Sequence, residues 1–182
     1  MLAAQLVAKR VRSYGWYDPS WESTRYAVDT LEVLREGDVG VMTALPALKI
    51  RDLALSFGKE PTRAYQVYVQ PADSTPVPSA KTLYRDDFRN SKVLLLGDSF
   101  SRIYQTDEPR AAGWIAHLAR ELSQPLATIV SDGGASTLVR RKLAREPKML
   151  RGKKLVIWEF VERDLRFGAE GWKQVAIPNQ RD

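Results

Sequence analysis

Lys92-Val93-Leu94-Leu95-Leu96-Gly97-Asp98-Ser99-Phe100-Ser101 decides how this chain is read. Its apolar run is short and unbroken, and a glycine follows it directly. That combination favours a buried strand over a helix. Two later stretches repeat the pattern. Ala127-Thr128-Ile129-Val130 is closed by Asp132-Gly133-Gly134, and Leu155-Val156-Ile157-Trp158-Glu159-Phe160 forms the third run. Helical spacing separates them. Ala111 to Leu122 places Ile115, Leu118 and Leu122 on one face, with Pro125 just past its end, and Ser136 to Ala144 is a second helix. Strand, helix, strand, helix, strand predicts crossover connections and an α/β fold with a parallel sheet.

The first half is less regular. Met1 to Arg12 reads as a helix, with Leu2, Leu6 and either Val7 or Val11 at helical spacing, and Gly15 and Pro19 end it. The aromatic stretch Tyr14 to Trp21 either packs over the domain edge or rims a ligand site. Tyr26 to Leu34 suits strand or helix. Val39 to Leu45 is apolar and stops at Pro46. Tyr65 to Val69 alternates like a strand. Residues 71–80, rich in proline and serine, read as a flexible loop within a single domain spanning 1–182.

Ligands of open parallel sheets gather beyond the carboxyl ends of the strands. The first such end is Gly97-Asp98-Ser99. Glycine permits a tight turn off the strand, and Ser99 then lies where backbone N–H groups can face an oxyanion. The second is Gly133-Gly134, either a plain turn or a bare backbone that a ligand can approach. The third offers Trp158 for stacking, the carboxylates Glu159 and Glu162, and Arg163. Glu162 and Arg163 either line a substrate or pair with each other at the surface.

Composition narrows the chemistry. The chain has 182 residues, 44% of them hydrophobic and 27% charged, an ordinary globular balance. It has no cysteine, which excludes disulfides, thiolate nucleophiles and cysteine zinc sites. His117 is the single histidine, so neither a metal site nor a cofactor is expected. Its place in the amphipathic helix predicts a partly exposed or core-edge position, away from Ser99. The net charge is +6, and much of the excess runs from Arg140-Arg141-Lys142 through Arg145, Lys148 and Arg151 to Lys153-Lys154. That run is either a solvated face or a footprint for an anionic polymer. No interleaved aromatics or recognition motif accompany it, so no nucleic-acid partner is expected. No stretch reaches the roughly 18 apolar residues of a membrane span, and Met1-Leu2-Ala3-Ala4 does not open like a signal peptide.

Val93 to Ser101 resembles the nucleophile block of SGNH hydrolases. More narrowly, it resembles the SGNH-like domain of alginate O-acetyltransferase-type proteins. Arg35-Glu36-Gly37-Asp38-Val39 is similar to that family's Arg-x-Gly-Asp segment, and Ser131-Asp132-Gly133-Gly134 to its glycine block. Lys153 to Arg163 is similar to its last strand and Trp-Glu-x-x-x-Arg ending. The resemblance covers nearly the whole chain. It implies a three-layer α/β/α, flavodoxin-like fold around a mostly parallel sheet.

The resemblance also implies an O-acetyltransferase or esterase that works on an exported polysaccharide through an acyl-serine at Ser99. Gly97, Asp98, Gly133 and Gly134 would form the oxyanion loop. The partners would be a polysaccharide acceptor and an acyl donor, such as a membrane acyl-transfer protein, in the periplasm. The family's Asp-x-His motif supplies the base, and no Asp-x-His occurs in this chain. The expectation is therefore a domain incomplete at its N-terminus, truncated or a remnant, and inactive by itself. The alternative is a non-catalytic carbohydrate-binding or scaffold module that uses the basic surface.

Overall fold

The computed structural model describes residues 1–35, 59–70, 81–133, 137–168 and 172–178. Residues 36–39 of the Arg-x-Gly-Asp segment, the apolar stretch Val39 to Leu45, the loop 71–80 and Gly134 lie outside them. Contacts divide the chain into two units. The larger joins Met1–Val28 with Gln66–Asp182, and the smaller is Asp29–Tyr65.

A two-stranded sheet pairs β1 (Tyr26–Arg35) with β2 (Glu60–Val69). This settles Tyr26 to Leu34 as strand. In the larger unit, β3 (Val93–Gly97) is the centre of a parallel sheet ordered β4-β3-β5, with β4 at Ala127–Val130 and β5 at Leu155–Trp158. Leu96 pairs with Ile129 on one side and with Trp158 on the other. Every residue of β3 is buried.

Strand side chains alternate between faces, so β3 feeds two cores. Val93 and Leu95 join Ala4, Ala8 and Val11 of helix α1 (Leu2–Arg12) and Ile115, Leu118 and Ala119 of a later helix. Leu94 and Leu96 face the other way, onto Val139 and Leu143. Helices thus cover both faces of a parallel sheet, which is the expected α/β/α layering.

The Gly97-Asp98-Ser99 block continues β3 into the single-turn helix α2 (Ser99–Arg102). Helix α3 is Trp114–Glu121, and α4 is Leu138–Arg145. The chain then forms the short α5 (Glu162–Phe167). Helix α3 starts later than its apolar spacing predicts. The backbone before it is committed elsewhere: Arg110 and Ala111 have left-handed φ of 55° and 51°, and the Ala111 carbonyl accepts the Val67 N–H at 2.8 Å. Gly113 caps the helix where a Cβ would lie 2.6 Å from the Ile103 carbonyl oxygen.

Helix α1 also buries a different face from the one its large residues suggest. Leu2 and Leu6 are 68% and 58% exposed, while Ala4, Ala8 and Val11 point inward. Those alanines pack against α3, whose facing residues include Ala116 and Ala119.

Candidate active site

Ser99 stands where the sequence placed it, at the first position of α2 directly beyond the carboxyl end of the central strand. Asp98 is the N-cap in extended backbone. Its Oδ1 accepts the Phe100 N–H at 2.8 Å, which fixes the start of the turn. Ser99 itself is half-buried. Neither its N–H nor its hydroxyl has a hydrogen-bond partner among the described residues. A backbone donor and a hydroxyl therefore share one corner, neither of them engaged among the described residues.

Beneath the turn, Gly97 makes room for a polar cluster. A Cβ there would lie 2.2 Å from Ser101 Oγ and 3.0 Å from Glu159 Oε2. Ser101 is fully buried, and its hydroxyl donates to Glu159 Oε2 at 2.7 Å while accepting the Trp114 indole N–H at 2.9 Å. The Asp98 N–H donates to the same carboxylate oxygen at 3.0 Å. Burial is the main force pushing the Glu159 carboxyl above its ordinary value. The Asp98 N–H and the Ser101 hydroxyl oppose the rise, and the neighbouring Asp98 charge adds to it.

The glycine loop reaches the turn from β4. The Ser131 N–H donates to the Gly97 carbonyl at 3.0 Å, and Gly133 takes a left-handed φ of 72°. Arg102 ties the two segments together. Its guanidinium Nη1 grips both oxygens of Asp107 at 2.6 and 2.7 Å, and its Nε donates to Asp132 at 3.0 Å.

A cleft of about 490 Å³ opens on the β4 side, lined by Ser101, Arg102, Thr128, Asp132, Lys142 and Asp86 among others. Asp86 stands at its mouth. Its outer surface is open to solvent, but protein crowds the carboxyl, and this desolvation raises its pKa against hydrogen bonds from Thr128 and Tyr84. A neighbouring groove of about 800 Å³, with Lys81, Arg85 and Arg110 on its walls, shares Asp86, Gln105 and Thr106 with the first.

The third strand end divides. Glu159 turns under the Asp98–Ser101 turn. Trp158 packs edge-on against Trp172 and tilted against Phe160, at 5.0 and 5.2 Å between ring centroids, with the Arg140 guanidinium 5.5 Å above it. Glu162 and Arg163 are exposed on α5, and neither lines the cleft. His117 is only 4% exposed on α3, deeper than expected, and does not line the cleft. Two cations of the basic run are tied to backbone carbonyls: the exposed Lys142 donates through Nζ to the Val130 carbonyl at 2.9 Å, and the half-buried Lys153 through Nζ to the Phe88 carbonyl at 2.6 Å. Arg141, Arg145, Lys148, Arg151 and Lys154 face solvent. Among the described residues no group of three or more His, Asp or Glu side chains converges to hold a metal, and no helix is long and apolar enough to cross a membrane.

Ser101 and Trp114 were not singled out from sequence. A serine two positions after Ser99 is visible in the motif, but its partners arrive from residues 13 and 58 positions away.

No protein-family model and no curated protein matches the chain. Among solved structures, it is similar to the O-acetyltransferase domain of Pseudomonas putida AlgJ, with 20% sequence identity and a TM-score of 0.54. The alignment covers 90% of this chain and 49% of that one, so the chain spans about half the length of the AlgJ structure. Pseudomonas aeruginosa AlgX aligns at 13% identity with a TM-score of 0.49, over 87% of this chain and 33% of that one. The AlgJ likeness shows a shared α/β fold.

Proposed function

We propose that the chain is an SGNH-type O-acetyltransferase or esterase domain that modifies an exported polysaccharide, in the periplasm, through an acyl-serine at Ser99. One observation carries this reading: Ser99, whose N–H and hydroxyl meet no partner among the described residues, begins the turn off the central strand of a fold shared with an O-acetyltransferase domain. Ser99 Oγ attacks the acyl carbonyl, its proton passes to a base, and the donor's oxygen leaves. A sugar hydroxyl or water then takes the acyl group from Ser99. The Ser99 N–H and the backbone of the Gly133-Gly134 segment would stabilise the oxyanion, with Gly97 and Asp98 shaping the loop.

The base that the resemblance implies is missing from the sequence. It has no Asp-x-His, and its one histidine is buried in α3. A serine without a base is a weak nucleophile, and the residual advantage over water in such sites is roughly 10³ to 10⁴. Turnover by this chain alone is therefore expected to be slow and to respond to an external base. The test is acylation by p-nitrophenyl acetate with imidazole supplied in the buffer, followed by intact mass and peptide mapping. An acetyl group mapped to Ser99, absent from Ser99→Ala, supports the reading. Acetylation scattered over lysines and unchanged by that substitution would sink it.

A second reading draws on the same missing base together with the exposed cations and the two joined grooves. A non-catalytic polysaccharide-binding module would hold an anionic glycan with an affinity that falls with salt and survives Ser99→Ala.

A further inference from the structure

We infer that Glu159 is a positioning residue for Ser99, clamping the nucleophile turn from behind through the Asp98 N–H and the Ser101 hydroxyl. The inference rests on the acyl-transfer reading of Ser99. Its geometry stands independently of that reading.

Three features converge on the carboxylate. First, its register is set by the sheet. The Glu159 N–H donates to the Leu96 carbonyl at 2.8 Å, one residue beyond the Leu96–Trp158 pair, so the side chain starts beside Gly97. Second, it receives the donors that a strand-to-helix turn leaves behind. The Asp98 N–H has left the β3 ladder and is not part of α2, and at this buried position it needs an acceptor. Third, Ser101 relays the hold to α3, since its hydroxyl joins Glu159 to the Trp114 indole. Asp98, directly before Ser99, and Ser101, two positions after it, are thus anchored to one oxygen, at 3.0 and 2.7 Å. Gly97 is the residue that lets this oxygen come so close. With the turn held on both sides of it, the Ser99 N–H and Oγ are presented in one direction. An oxyanion donor works only when it is already aimed at the site where charge develops.

The role predicts effects on rate and not on probe affinity. In Glu159→Ala the maximal rate of Ser99 acetylation by p-nitrophenyl acetate should fall about tenfold or more, the concentration dependence staying within about twofold. Glu159→Gln keeps an acceptor oxygen in place and should stay within about threefold of the parent. Ser101→Ala removes one of the two anchors and should fall between them. Amide hydrogen exchange, read residue by residue by NMR, supplies a measure that needs no reaction. The Asp98 amide should exchange at least about tenfold faster in Glu159→Ala than in Glu159→Gln, while the Leu94 and Leu95 amides keep their protection. An Asp98 amide equally protected in both variants would overturn the clamp. So would Glu159→Gln and Glu159→Ala losing rate alike. If Ser99 is never acetylated in any form, the acyl-transfer reading fails, and the exchange pattern alone still decides whether Glu159 holds the turn.

Discussion

Gly97 is the residue on which the site geometry turns. Adding one methyl there puts it 2.2 Å from Ser101 Oγ and 2.7 Å from Ser101 Cβ, both in a fully buried side chain with no room to withdraw. Gly97→Ala should therefore cost about 1–3 kcal/mol of stability, the range for overpacked interiors, measured by urea unfolding. The same variant should lose Ser99 acetylation, because the Ser101–Glu159 contact and the new methyl cannot coexist. A Gly97→Ala protein as stable and reactive as the parent would show that the turn is loose. Glu159 adds a pH signature. Its carboxyl is raised in the folded state, chiefly by burial, so folding favours the protonated form. The stability it contributes is complete below its ordinary value of 4.5 and is lost as pH rises through the raised value. Unfolding free energies of parent and Glu159→Gln, measured across that window, should diverge, with the parent falling relative to the variant as pH increases. Parallel curves would mean that the carboxyl titrates as it does in the unfolded chain.

At the scale of elements, side-chain size decides which face of α1 is buried. The helix sets Ala4 and Ala8 against α3, leaving Leu2 and Leu6 outside. Small residues let two helices approach closely, and the contact is then sensitive to bulk. Ala8→Leu should cost about 1–3 kcal/mol by thermal or urea unfolding, whereas Leu6→Gln should change stability by less than about 0.5 kcal/mol. The reverse order would restore the leucine face as the buried one. This is also where sequence reading reaches its limit. The strands β3, β4 and β5 were legible because each is a short apolar run punctuated by glycine or charge, and the place of Ser99 at the turn was legible because it follows the first of them. The face of α1 was not, because apolar periodicity cannot distinguish a leucine stripe from an alanine stripe whose partner is another alanine stripe. The start of α3 was hidden in the left-handed backbone of Arg110 and Ala111, which neither residue type announces. The cluster of Ser101, Trp114 and Glu159 was hidden for a third reason: it exists only once the parallel register brings distant residues together.

The larger unit has one strand serving two cores, and that should govern how it unfolds. Val93 and Leu95 are fully buried on the face covered by α1 and α3, and Leu94 and Leu96 are buried on the face covered by α4. Neither core can open without stripping one side of β3, and a stripped β3 no longer holds the backbone register that places the other side. Truncating Leu95 or Leu94 to alanine should each cost about 2–5 kcal/mol, the usual range for a buried leucine. More tellingly, each truncation should lower the stability of both faces together. Trp114 packs with the first core and Trp158 with the second, so fluorine-labelled tryptophan NMR reports each face separately during a urea titration. A single shared midpoint in the parent, and an equal shift at both reporters in Leu95→Ala, is the outcome expected of one cooperative unit. If Leu95→Ala moves the Trp114 transition and leaves that of Trp158 in place, the two faces fold independently. The turn at Ser99, which hangs from the end of β3, would then depend on only one of them.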